Sequence, residues 1–450
     1  MQRPARAGWL HRKRRSRRDL KHSAHMIQSK QRALLRAWTL GFALCVPAVA
    51  QAGGYDTPML YTARHMGMGG TAIGYVEDPS ALFHNPAGLG HVHRGQLIAD
   101  FSLLLGGIHA SPSAAPSGKD VDSDLTVAPF FLVGGAYRVH ERITLGVGVY
   151  PIASAGATFH YGNGNFKDST ELFFLEASPA IAFNLLDSLR LGVGYRVTYV
   201  RLVRYQGDPG SAQTPNIDFK MSGQNFSGFR VGLQWDAQPW LQFGAVFRNT
   251  VTTHVDNTHG VALLTNYTDI STSFKLPAKL GFGSRVDLDD FGLPASVGVD
   301  FEYDFNSQNK GDSLAGTPAP NSGGATSVPN IFQWKDAETL RVGLEYRILQ
   351  HVAPSLENVP LRAGYVYDTQ TANATYPTAF GTPPGPTQVF TLGTGYKAHT
   401  WQANVAYAYR FGHGAVSKPD TINCAFCSYA GKSDYSIHLH GLYADVSYNF

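Results

Sequence analysis

Few side chains in this 450-residue chain are spaced for covalent or metal chemistry. Cys424 and Cys427 flank Ala425-Phe426, but two thiols fall short of the four ligands that a closed zinc site takes. A small disulfide in an exposed loop is expected there. The pairs His91-x-His93 and His438-x-His440 could face one ion, yet alternate residues of a strand share a face in any case, so no metal is expected. A hydrolase would need a Ser or Thr nucleophile, a His and an orienting group. No Gly-x-Ser-x-Gly elbow occurs among the 450 residues, although the 17 histidines leave a triad assembled across strands open. The chain is therefore read as a non-enzyme without cofactor.

The charges divide unevenly. Residues 1–52 hold twelve Lys or Arg and one Asp, a balance of +11 against +4 for the whole chain, so the remainder carries −7. Lys30, Arg32 and Arg36 precede an apolar run from Ala37 to Ala50, and Ala50-Gln51-Ala52 has the small-x-small form of a signal-peptidase site. This reads as an export signal cleaved after Ala52. The basic run before Met26 is read as upstream sequence, with Met1 or Met26 as the start, and not as a nucleic-acid patch. Leu44 stands where a lipoprotein signal before Cys45 would have a small residue, so no lipid anchor is expected.

The elements that must position everything else are short and repetitive. After residue 52 no run of about 18 apolar residues could form a membrane-spanning helix. Stretches of about ten residues alternate instead. In "TLRVGLEYRI", Leu340, Val342, Leu344 and Tyr346 share one face, and Arg341, Gly343, Glu345 and Arg347 the other. "SVGVDFEYDF" and "LRLGVGYRVTY" repeat the pattern. Fourteen such strands are predicted, near 96–107, 125–139, 142–155, 172–186, 188–204, 217–235, 241–255, 271–287, 294–306, 338–349, 361–369, 387–398, 401–411 and 437–450. Connections after strands two, four, six and twelve are tight. Those after one, three, five, seven, nine, eleven and thirteen read as long, the longest at about 307–337.

Short turns at one end and long loops at the other, on an even number of strands, describe an all-β, 14-stranded antiparallel transmembrane barrel of the bacterial outer membrane. Hydrocarbon cannot satisfy an open sheet edge, so the first and last strands must pair. The ending "LYADVSYNF" alternates to a terminal Phe450, an aromatic of the kind that barrel-assembly machinery reads. The mean hydropathy of −0.16 fits a wall in which one residue in two meets lipid. Residues 96–450 then form the barrel, and residues 53–95, too polar and glycine-rich for a strand, are expected as a plug in the lumen. The charges Asp300, Glu302, Asp304, Arg341, Glu345, Arg347 and Arg362 are expected on the lumenal face as internal ion pairs.

Within that leftover segment, "ARHMGMGGTAIGYVEDPSALFHNPAGLG", Ala63 to Gly90, resembles the N-terminal hatch of the FadL-like outer-membrane transporters of long-chain fatty acids and hydrocarbons. Its Asn85-Pro86-Ala87 stands where that family carries an Asn-Pro-Ala signature, and "FGAVFRNTV", "LPAKLGFG", "TLRVGLEYR" and "LRAGYVYD" are weaker echoes along the chain. The resemblance implies a hatch-plugged barrel, a kinked third strand with the Asn-Pro-Ala turn against the resulting gap, and passive passage of an apolar molecule from a loop-side pocket through the wall. Pro151, which cannot donate to a ladder, and Gly156 are the candidates for the kink. Asn side chains and the fixed φ of Pro make the turn stiff, which suits either gating or a purely structural role. Phe130, Phe131, Phe173 and Phe174 are candidate ligand contacts. The start "GGYDTPMLYT" lacks the apolar Gly-Phe-type opening of the fatty-acid members, so the ligand is expected by class only. A monomer is expected, surrounded by outer-membrane lipid and lipopolysaccharide, without nucleic acid. A scaffold barrel that transports nothing is the alternative reading, and an outer-membrane hydrolase a more distant one.

Overall fold

The computed structural model describes residues 61–111, 120–161, 164–347, 356, 358–373, 375, 385–416 and 433–450. The expected export signal, residues 53–60 of the expected plug, and Cys424 and Cys427 lie outside them.

Fourteen wall strands run antiparallel in chain order: β1 (Gly95–Ser111), β2 (Thr126–His140), β3 (Ile143–Tyr161), β4 (Phe166–Leu186), β5 (Leu189–Gly207) and β6 (Ile217–Gln238). Next come β7 (Leu241–Arg248 continued by Val251–Ala262), β8 (Thr265–Leu276 continued by Lys279–Asp287), β9 (Ala295–Asp304) and β10 (Ala337–Tyr346). The last four are β11 (Leu361–Asp368), β12 (Thr387–Lys397), β13 (Trp401–Val416) and β14 (Ser433–Asn449). The ring closes where β1 pairs with β14, from Gln96 opposite Asn449 to Ser111 opposite Asp434. Among the described residues no helix is long and apolar enough to cross a membrane, so the crossing falls to the strands.

Polarity is inverted relative to a soluble protein. Leu97, Phe101, Val147, Trp235, Phe282, Leu392 and Val446 are exposed on the outer surface, whereas Glu176, Arg196, Arg230, Asp300 and Arg341 are buried. An outside of Leu, Val and aromatics suits hydrocarbon, and polar groups turned inward can pair with one another.

All fourteen expected strands occur, but several run further toward the loop side. The segment between strands seven and eight is not a long loop. Both strands continue to a tight turn at Leu263-Leu264, where Thr265 pairs with Ala262. The third connection shortens likewise to residues 162–165. Around 307–337 the chain forms a hairpin, Gly311–Pro318 with Ser327–Ile331, that adds to the upper edge of β8. Backbone ladders continue into water beyond the apolar band, where side chains such as those of Asp256, Asn257 and Thr258 no longer alternate.

Residues 61–92 run inside the ring. They form two single helical turns, α1 (Ala63–Met66) and α2 (Ala81–His84), and a 3-10 turn at Pro86–His91. Nearly all of these residues are buried.

Candidate functional site

The Asn85-Pro86-Ala87 turn is built from its own side chain outward. Asn85 Oδ1 accepts the Ala87 N–H at 3.1 Å, capping the 3-10 turn, while Nδ2 donates to Ile73 O at 2.8 Å and to Leu233 O on β6 at 3.0 Å. One side chain thus ties three stretches of chain. The wall beneath is flat because Gly192 of β5 and Gly232 of β6 lie opposite each other. A Cβ on Gly232 would sit 1.9 Å from Asn85 Oδ1, and one on Gly364 of β11 would sit 2.0 Å from the Gly69 N–H nitrogen. Such glycines permit backbone-to-backbone approach that no other residue allows.

This seating corrects one expectation. The turn lies on β5 and β6, not against the third-strand gap, because the paired glycines that admit it are there. Tyr61 and Leu82 face the kink instead. The Tyr61 hydroxyl donates to Pro151 O at 2.9 Å, and the Tyr150 hydroxyl lies 2.8 Å from Leu82 O and 2.9 Å from Glu176 Oε1.

At Pro151 the β3–β4 register slips by one residue, leaving Ile152 unpaired. The β2–β3 ladder ends at Val133 opposite Val149. Beyond it Thr126–Leu132 pair with β1 only, until the Ser123–Phe159 bridge reconnects the two sides. The wall is therefore split between β2 and β3. Behind the split lies a cavity of about 120 Å³ lined by Met66, Ala128, Phe130, Ala155, Gly156, Leu439 and Arg410, among others. Its size is close to the roughly 150 Å³ apolar cavity known to hold benzene.

The four candidate phenylalanines divide by parity. Phe130 lines this cavity and Phe174 is fully buried, with its ring edge-on to Phe274 at 6.3 Å. Phe131 is exposed and Phe173 half-buried, both on the opposite face of their strands. Neighbouring residues of a strand cannot share a face, so these two are wall residues and not lumenal contacts.

Along the axis the lumen has two storeys. Toward the loops lies an apolar cluster of inward side chains that includes Leu172, Phe174, Val200, Leu202, Met221 and Ile270, with the ion pairs Arg204–Asp168 and Arg410–Asp368 also on that side. Nearer the turns the inward side chains are charged. Glu176 is bound by Arg196 Nε at 2.6 Å and by Arg230 Nη2 at 3.2 Å, all three fully or almost fully buried. Arg230 also donates to Leu82 O of α2. This triad was not foreseen from sequence, although its two-residue alternation with apolar neighbours is the same signal that marked β9 to β11.

The charges expected on β9 to β11 do face inward and pair: Arg341 with Glu302, Arg362 with Glu345 at 2.8 Å, Arg347 with Glu345 at 3.4 Å, and Asp304 with Lys279 at 3.0 Å. Asp300 instead accepts the Ala72 and Ile73 N–H groups, at 2.8 and 3.0 Å. Asp445 accepts the Arg64 N–H at 2.9 Å. Wall carboxylates thus hold the inner segment by its backbone. Within that segment, burial works against Glu77, but Arg64, Arg285 and Lys397 hold its carboxyl down to about 2. Burial, opposed by Asp78 and reinforced by Arg64, lowers the His65 imidazole to about 4.

The sequence pattern of the family described as "Outer membrane protein transport protein (OMPP1/FadL/TodX)" matches residues 43–450. The chain belongs to that family. Its fold is also that of solved members. A Pseudomonas aeruginosa FadL homologue superposes with a TM-score of 0.69 at 15% identity, covering 88% of this chain and 100% of that one. The P. putida toluene transporter TodX gives 0.62 at 15%, covering 88% and 99%. The Ralstonia pickettii toluene transporter TbuX gives 0.59 at 17%, covering 87% and 98%. A Neisseria meningitidis serogroup B protein named "Putative outer membrane protein NMB0088" is 36% identical over 90 residues, a stretch that spans 17% of this chain and 18% of that protein. This FadL/TodX-type chain is an outer-membrane transport protein and not an enzyme.

Proposed function

We propose that the protein is a passive channel for apolar small molecules, and that residues 53–95 act as its hatch. The observation that carries this reading is the β2–β3 split with an apolar cavity behind it. An unpaired strand edge at membrane depth is costly unless it lines a cavity, so a split placed there calls for a use. A molecule enters the apolar upper storey, gaining roughly 25 cal/mol for each Å² of apolar surface removed from water. It then moves past α2 to the cavity and leaves sideways. The cavity size favours a compound of about one aromatic ring over an extended chain, in keeping with the toluene transporters among the structural relatives. Around the barrel we infer outer-membrane lipid and lipopolysaccharide. We also propose that Phe450 serves recognition by the assembly machinery and that the barrel functions as a monomer.

The test is uptake of labelled toluene and oleate by cells carrying the wild type, the double variant Asn85→Ala, Pro86→Ala, or no protein. Faster toluene uptake with the wild type, altered in the double variant, supports the reading. Equal uptake in all three strains, for both compounds, rejects transport and leaves the fold standing.

A further inference from the structure

A second cavity, of about 230 Å³, opens at the short-turn end of the barrel, on the far side of α1 from the apolar one. Its lining is of another kind. Arg64 of α1 and the wall residues Arg285, Arg347, Arg362 and Lys397 surround it, against two lining carboxylates, Glu77 and Glu345. Glu345 is already shared among three guanidiniums, at 2.8 Å from Arg362, 3.4 Å from Arg347 and 4.0 Å from Arg285. Glu77 is taken by Arg64 at 2.9 Å. Further carboxylates stand behind the lining. Asp287 and Asp289 hold Arg347 from outside, at 3.4 and 2.7 Å, Asp287 lies 3.6 Å from Arg285, and Asp78 lies 3.9 Å from Arg64. Two donors remain over among the described residues. The Arg285 Nε–H is buried without a hydrogen-bond partner, and the Lys397 ammonium, on the same cavity, has no ion pair.

We propose that this basin binds a small oxyanion, a carboxylate or a phosphate, between Arg285, Lys397 and Arg362. Guanidinium forks match the two oxygens of such groups, and ammonium adds a point charge. The carboxylates around the basin equal its cations in number, but a buried donor left without an acceptor is costly, and an oxyanion in the basin accepts from the Arg285 Nε–H beside the exposed Lys397 ammonium. The site faces the aqueous turn side and does not depend on the transport reading.

Binding is measured by equilibrium dialysis of the detergent-solubilised full chain against radiolabelled inorganic phosphate, and in a parallel arm against benzoate. Saturable binding in either arm is expected, and which arm responds tells phosphate from carboxylate. The double variant Arg285→Gln, Lys397→Gln should weaken it at least tenfold. Glu77→Gln removes a competing carboxylate and should tighten it several-fold, which mere damage to the fold would not do. The fast migration of unboiled protein on gels confirms a closed barrel in each variant. No saturable binding in either arm, or the same affinity in all three proteins, overturns the proposal.

Discussion

Glu176 shows how much one inward side chain can carry. It is the shared counter-charge of Arg196 and Arg230, and Arg230 in turn reaches the carbonyl of Leu82. Glu176→Gln keeps the shape and leaves two buried guanidiniums without their carboxylate. Breaking a buried ion pair costs about 3–5 kcal/mol, so the temperature at which the barrel unfolds on heated gels should fall markedly. An unchanged transition would mean that the triad is held by other charges. Tyr61 is a lesser case. Tyr61→Phe removes the hydrogen bond to Pro151 O, worth about 0.5–1.5 kcal/mol, and faster amide exchange around residues 61–66 is the readout. These contacts were invisible in the sequence because partners such as Tyr61 and Pro151 are far apart in the chain, and alternation reports a face but not a neighbour.

The elements divide into what period two reveals and what it hides. The fourteen strands were legible because lipid outside and polar lumen inside impose strict alternation. The loop-side ends were not, since hydrogen-bond ladders persist in water where no side-chain pattern is required. The bulge at Ile152 was half legible. Pro151 marked a ladder break, but its consequence, a split between β2 and β3, depends on pairing. The Asn-Pro-Ala turn stood out, whereas its seat on Gly192 and Gly232 did not, because glycine on an inward face reads as an absence. Gly232→Ala puts a methyl against Asn85 Oδ1. Overpacking of this kind costs about 1–3 kcal/mol, so the segment should exchange faster while the barrel stays closed. Acid acts on the same segment through His65. A buried base with a lowered affinity for protons supports the folded state fully above its ordinary value of 6.5, and that support drains away as the pH falls toward about 4. Hydrogen exchange of residues 63–76 should therefore quicken between those values and level off below, and His65→Gln should flatten the profile. An exchange rate independent of pH after correction for intrinsic chemistry would contradict it.

At the scale of the whole molecule, the closed ring solves the backbone problem that hydrocarbon poses, and the two-storey lumen separates function from fixation. Apolar side chains cluster under the loops, while charged ones below clamp the inner segment. The split between β2 and β3 is where ring closure is locally given up, and the path proposed above runs through it. Filling the cavity behind the split tests that path most directly. Ala128 lines it from β2, and Ala128→Trp places an indole there, away from the Glu176 triad and the ion pairs of β9 to β11. Toluene uptake by cells carrying this variant should drop to the level of cells without the protein, with the barrel still heat-modifiable on gels. Uptake equal to that of the wild type, at equal barrel content, would show that the molecule travels elsewhere.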